Sequence, residues 1–96
     1  MMADSIMQAS KHCYVTGSTT NLDKHHIYKG NPLRRISEEN GFWVWLRHDV
    51  HMALHARQKP FQNLDDVLKR KCQEEFERQG GTREEFMRLI RRNYLD

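Results

Sequence analysis

Hydrophobic positions along the chain switch between two spacings, and each switch predicts an element. Phe42-Trp43-Val44-Trp45-Leu46 is an aromatic and β-branched run bounded by Gly41 and by charge. It predicts a buried strand at the centre of the core, with Trp43 and Trp45 packing on one side. Leu22 to Tyr28 has apolar anchors at Leu22 and Ile27 and follows the turn-rich Thr16-Gly17-Ser18-Thr19-Thr20, which predicts a turn leading into a strand. From Arg47 to about Arg57 the spacing is helical: Val50 and Leu54 lie four apart on one side, His51 and His55 four apart on the adjacent stripe. Pro60 ends that helix.

Asn63 stands where it can cap the next helix, and Asp65 and Asp66 suit its first turn. Leu64, Val67, Leu68, Cys72 and Phe76 form its buried stripe, and Gly80-Gly81 stops it. Thr82 and Glu85 then make a capping box for a last helix with Phe86, Leu89 and Ile90 facing inward. Residues 1–11 lack a convincing period and predict a loose arm or a short helix that docks only in part. Lys29 to Gly41, with two glycines and Pro32, predicts a loop with one helical turn at most. The fold class that follows is α+β, with one domain over 12–96. A β-hairpin and helix unit over about 22–58 is followed by a helical hairpin over about 63–94.

Ninety-six residues allow one small domain with a modest core, which a staple would help to hold. A hydrophobic share of 38% beside 30% charged residues fits a folded domain rather than a disordered tail. Cys13 and Cys72 are the two cysteines, and the N-terminus has neither a signal-peptide pattern nor an apolar run of spanning length. The expectation is a cytoplasmic, reduced protein with no membrane partner. A net charge of +3 favours a polyanionic partner such as DNA, though unrelated proteins are as basic.

Candidate chemistry lies in the histidines, five of which fall between positions 25 and 55. Imidazole ligates divalent transition metals and also exchanges a proton near neutral pH. His51 and His55 project from one helical face and can share an ion. His25 and His26 are neighbours on a strand, so one can reach that ion while the other points toward an attacking water. Taken alone, His25-His26 reads first as a pair of surface or packing histidines at a strand end, and His51/His55 as a solvated stripe. His12 and His48 match no ligand position.

Asp23-Lys24-His25-His26-Ile27, then Trp43-Val44-Trp45-Leu46, then His51 on a helix, resembles the HNH (ββα-metal) nuclease family. Arg34-Arg35-Ile36-Ser37-Glu38-Glu39-Asn40-Gly41, with Arg83-Glu84-Glu85-Phe86 and Arg92-Asn93-Tyr94-Leu95, resembles short HNH-like proteins of bacteriophages and prophages. The resemblance covers roughly 13–96 and implies a ββα unit wrapped round one divalent cation, Mg²⁺, Mn²⁺, Ni²⁺ or Zn²⁺. It implies that His26 is the general base, that His25, His51 and His55 hold the metal, and that Arg34 or Arg35 binds the flanking phosphate. Lys24, Lys29 and Arg47 would contact the DNA backbone. Arg34 and Arg35 also sit in a charged run with Glu38 and Glu39, where a solvated surface is as natural a reading.

The sequence departs from the family at its structural zinc. Many members carry two Cys-x-x-Cys pairs; here only Cys13 remains, with Thr16, Arg47 and Val50 in the other three places, so no structural zinc held by four thiolates is expected. The middle Asn of the motif is unplaced, with Asn31 and Asn40 both nearby. Three readings follow: a DNA endonuclease of low intrinsic sequence specificity; an HNH-derived module that binds nucleic acid, or a phage or host protein, without cleaving; and a metal-stabilised structural protein.

Overall fold

The computed structural model describes residues 3–96. Among them the chain forms β1 (Leu22–His26), α1 (Leu33–Asn40), β2 (Trp43–Arg47), α2 (His48–Ala56), α3 (Leu64–Arg78) and α4 (Arg83–Ile90). β1 and β2 make a two-stranded antiparallel sheet, with His25 opposite Val44 and His26 opposite Trp43. The fold is α+β: a hairpin and helix unit, α1 inserted between its strands, and a helical pair behind.

Alternation from Phe42 through β2 divides the side chains. Phe42, Val44 and Leu46 enter the core cluster with Ile27, Tyr28, Val50, Leu54, Leu68 and Phe86. Trp43 and Trp45 share the opposite face, ring to edge at 5.4 Å, so the run is half core and half cover. Lys24 lies 4.1 Å from the Trp43 ring centroid and Lys11 4.4 Å from that of Trp45, in cation–π contact. Residues 3–10 lie against the same face rather than hanging loose. Ser5 Oγ donates to the Trp43 carbonyl at 2.6 Å, Trp45 N–H donates to Gln8 Oε1 at 2.6 Å, and Ile6 N–H donates to the Gly41 carbonyl at 3.0 Å.

Tyr28 joins the hairpin to the C-terminal helices. Its ring packs edge-on against Phe42 and Phe86 at 5.7 and 5.5 Å, and its hydroxyl donates to the Lys69 carbonyl at 2.6 Å. Leu68, Cys72, Phe86 and Ile90 supply the inner faces of α3 and α4, whereas Val67, expected inside, is 38% exposed. The helical stripe is narrower than a five-residue pattern implies. Thr82 and Glu85 form the expected capping box, while Asn63 precedes α3 without a side-chain cap. Cys13 and Cys72 are unpaired and buried. Around Cys13 the turn is closed by backbone, Cys13 N–H donating to the Ser18 carbonyl and Gly17 N–H to that of Cys13, and Thr16 N–H meets the Cys13 sulfur at 3.4 Å. Among the described residues no helix is long and apolar enough to cross a membrane.

Candidate metal centre

Strand alternation sends His25 to the core face of β1 and His26 to the far face. α2 begins directly after β2, so its own turn lays His51 and His55 over the core face of β1. The ring centroids of His51 and His55 lie 5.1 and 5.6 Å from that of His25. One ligand atom from each of His25, His51 and His55 falls within 4.8 Å of the others, so the cluster can hold a metal ion.

Protonation states follow from the partners. Lys29 can only donate, and its ammonium meets His55 Nδ1 at 3.4 Å. His55 therefore carries its proton on Nε2, which donates to His51 Nε2 at 3.0 Å, and His51 Nδ1–H donates to Asp23 Oδ2 at 2.9 Å. The hydrogen bond from His51, above all, holds the Asp23 carboxyl below its ordinary range; His48 Nδ1 donates to the same oxygen at 2.8 Å. To offer Nε2 as a ligand, His55 must move its proton to Nδ1, a tautomer that no longer accepts from Lys29. Burial first, then the Lys29 charge, lowers His55. Burial, then His51, pushes His25 down to about 3, so this imidazole is neutral and keeps a lone pair free.

His26 is bound differently. Its Nε2–H donates to Glu38 Oε1 at 2.5 Å, and Lys24 Nζ donates to Glu38 Oε2 at 3.1 Å. The His26 bond, above all, holds the Glu38 carboxyl below its ordinary range. α1 supplies Glu38. The segment expected as a loop is a two-turn helix because Leu33, Ile36 and Ser37 repeat at helical spacing toward the core. Ser37, fully buried, accepts from Tyr28 N–H at 3.3 Å and donates to the Tyr28 carbonyl at 2.9 Å, locking α1 beside the end of β1.

The four histidines line one cavity of about 270 Å³ together with Lys24, Lys29, Gly30 and Arg34. Of the sequence-predicted residues, Lys24, His25, His26, Lys29, Arg34, His51 and His55 thus converge. Arg35 and Arg47 do not. Arg35 lies on the exposed side of α1, paired with Glu39 at 3.6 Å, and the Arg47 fork is taken up by Asp49 at 2.6 and 2.9 Å. Compared with protein-family models, with curated proteins and with solved structures, the chain matches none.

Sequence reasoning missed Asp23, Glu38, His48 and Asp65. Asp23 was findable, since it stands two before His25 on the same strand face. Glu38 lay in a charged run read as solvated. Asp65 gave no sign, because only packing of α3 on the sheet brings it to His25, with Asp65 Oδ1 4.0 Å from His25 Nε2.

Proposed function

We propose that this chain is a metal-dependent endonuclease of the HNH type, hydrolysing DNA phosphodiester bonds with little sequence preference of its own. The observation that carries the reading is that two kinds of imidazole share one basic cavity: a three-histidine cluster able to hold an ion, and His26, held by a carboxylate. The donor set fits a transition-metal cation such as Zn²⁺, Ni²⁺ or Mn²⁺ better than Mg²⁺, which prefers oxygen. The neutral state of His25 suits ligation.

His25, His51 and His55 would hold the ion, and Asp23 keeps the proton of His51 on Nδ1, leaving Nε2 for it. A divalent cation bound there supplies Lewis-acid polarisation of the phosphate and offsets charge at the leaving 3′ oxygen. With its proton on Nε2, His26 has Nδ1 as its basic atom and takes the proton of the attacking water there. As that water's oxygen bonds to phosphorus, the bond from phosphorus to the 3′ oxygen breaks and its electron pair leaves with that oxygen, while Glu38 stabilises the imidazolium that results. Arg34 presents a forked donor for phosphate oxygens at the cavity, and Lys29 a point charge. Lys24 is committed to Glu38 and the Trp43 ring, and its role is to hold the carboxylate.

Incubation of supercoiled plasmid with the protein and Mn²⁺, Ni²⁺, Zn²⁺ or Mg²⁺ tests this. Wild type is expected to nick or cut. His26→Ala should bind metal normally and lose cleavage by about 10²-fold or more, whereas His51→Ala should lose metal binding as well. Absence of cleavage with every metal, or equal loss of metal binding in both variants, would overturn the assignment.

A further inference from the structure

His25 and Asp65 are both buried beside the cavity, at 2% and 5% exposure. His25 Nε2 and Asp65 Oδ1 both lack a hydrogen-bond partner, and they face each other at 4.0 Å. A buried donor or acceptor left unmade is costly, so two of them side by side need a reason. The separation is about 1 Å beyond a hydrogen bond and too short for a water lying in line between them. A shift of α3 toward β1 by about that distance would close it.

The other contacts of Asp65 are to lysines. Its Oδ2 accepts from Lys69 one turn along α3 at 3.0 Å, and Lys29 Nζ stands 3.7 Å from Oδ1. Helix-terminal electrostatics do not account for its burial, because the exposed Asp66 in the same turn can serve the macrodipole. Asp65 also stands outside the cluster of three ligand atoms. His51 already shows the matching arrangement, with one ring nitrogen on Asp23 and the other toward the cluster.

We propose that Asp65 is a positioning residue of the metal centre: its Oδ1 takes the Nε2–H of His25 and so fixes the tautomer that turns Nδ1 to the ion. This rests on the reading of His25, His51 and His55 as ligands. It gives the C-terminal helical pair a part in the site, since α3 then sets the orientation of the most buried ligand through a carboxylate of its own.

Competition titration with Zn²⁺ and a chromophoric chelator tests it on wild type, Asp65→Asn and Lys69→Met. A long-range ¹H–¹⁵N imidazole spectrum of zinc-loaded wild type reports the His25 tautomer. The expected results are about 10–100-fold weaker zinc binding in Asp65→Asn, binding within about threefold of wild type in Lys69→Met, and a His25 proton on Nε2. Wild-type affinity in Asp65→Asn, or a His25 proton on Nδ1, overturns the proposal. So does an equal loss in Lys69→Met, which would mean that Asp65 acts only by steadying α3. Should Asp65→Asn fail to fold, the wild-type tautomer decides. Wild type that binds no zinc overturns the metal-centre reading itself, and this one with it.

Discussion

A histidine works as a general base when one ring nitrogen is tied to a carboxylate and the other is bare, and His26 meets that condition through Glu38. Replacing Glu38 by Gln keeps the shape and removes the charge that, on the proposed mechanism, would stabilise the imidazolium. Cleavage should fall about 10–100-fold, less than the roughly 10²–10⁴-fold that a general base itself contributes, while zinc affinity stays at the wild-type value; a parallel loss of metal would assign Glu38 to the ligand shell instead. The same substitution has a signature in stability. Glu38 titrates below its ordinary range when folded, chiefly through His26. Its contribution is therefore complete above the ordinary carboxylate range and is lost as pH falls through that range toward the folded value. Urea midpoints measured against pH should show a shallower acid-side decline in Glu38→Gln.

At the scale of elements, two helix ends contribute stability away from the site. Gly41 ends α1 with φ +75°, and a Cβ there would lie 2.1 Å from the Asp4 carbonyl oxygen. Gly41→Ala thus adds the left-handed penalty of about 1–2 kcal/mol and displaces the arm that covers Trp43 and Trp45. Chemical denaturation should show a loss beyond that penalty alone, whereas Gly30→Ala, at φ +90° with open space, should show no more than the backbone cost. The capping box of α4 is reciprocal: Glu85 N–H donates to Thr82 Oγ1 at 3.1 Å and Thr82 N–H to Glu85 Oε1 at 3.0 Å. Thr82→Ala should cost about 1 kcal/mol, read as a lower denaturation midpoint with the metal affinity unchanged.

Across the whole molecule the net charge of +3 is modest, and what matters for a nucleic-acid partner is where the free cations sit. Arg34 lines the cavity, while Arg35 and Arg47 are engaged with Glu39 and Asp49 away from it. DNA binding measured in a His26→Ala background should weaken with salt, and Arg34→Ala should reduce the slope of log K against log salt by about 0.9, the share of one phosphate contact. Arg35→Ala should leave that slope unchanged. Equal effects of the two would move the DNA path off the cavity.

The amino-acid order alone determined the periodic elements, and with them the parts of the site that a single element can carry. The β2 strand, the α4 capping box and the i, i+4 pair His51/His55 were legible because helix and strand periods are local properties of the chain. The adjacency of His25 and His26 already implied two opposite faces. α1 was obscured by Pro32 and the flanking glycines, and its Glu38 by a charged run that looked solvated. Whether a charge is free or engaged depends on what lies across from it: Arg35 and Arg47 carry the same sequence signal as Arg34 and differ only in their partners. Tertiary structure alone decided that Glu38 meets His26 across 12 residues and that Asp65 meets His25 across the hairpin and two helices. Those contacts arise from packing α1 and α3 against one sheet, and no local period encodes a distance between elements.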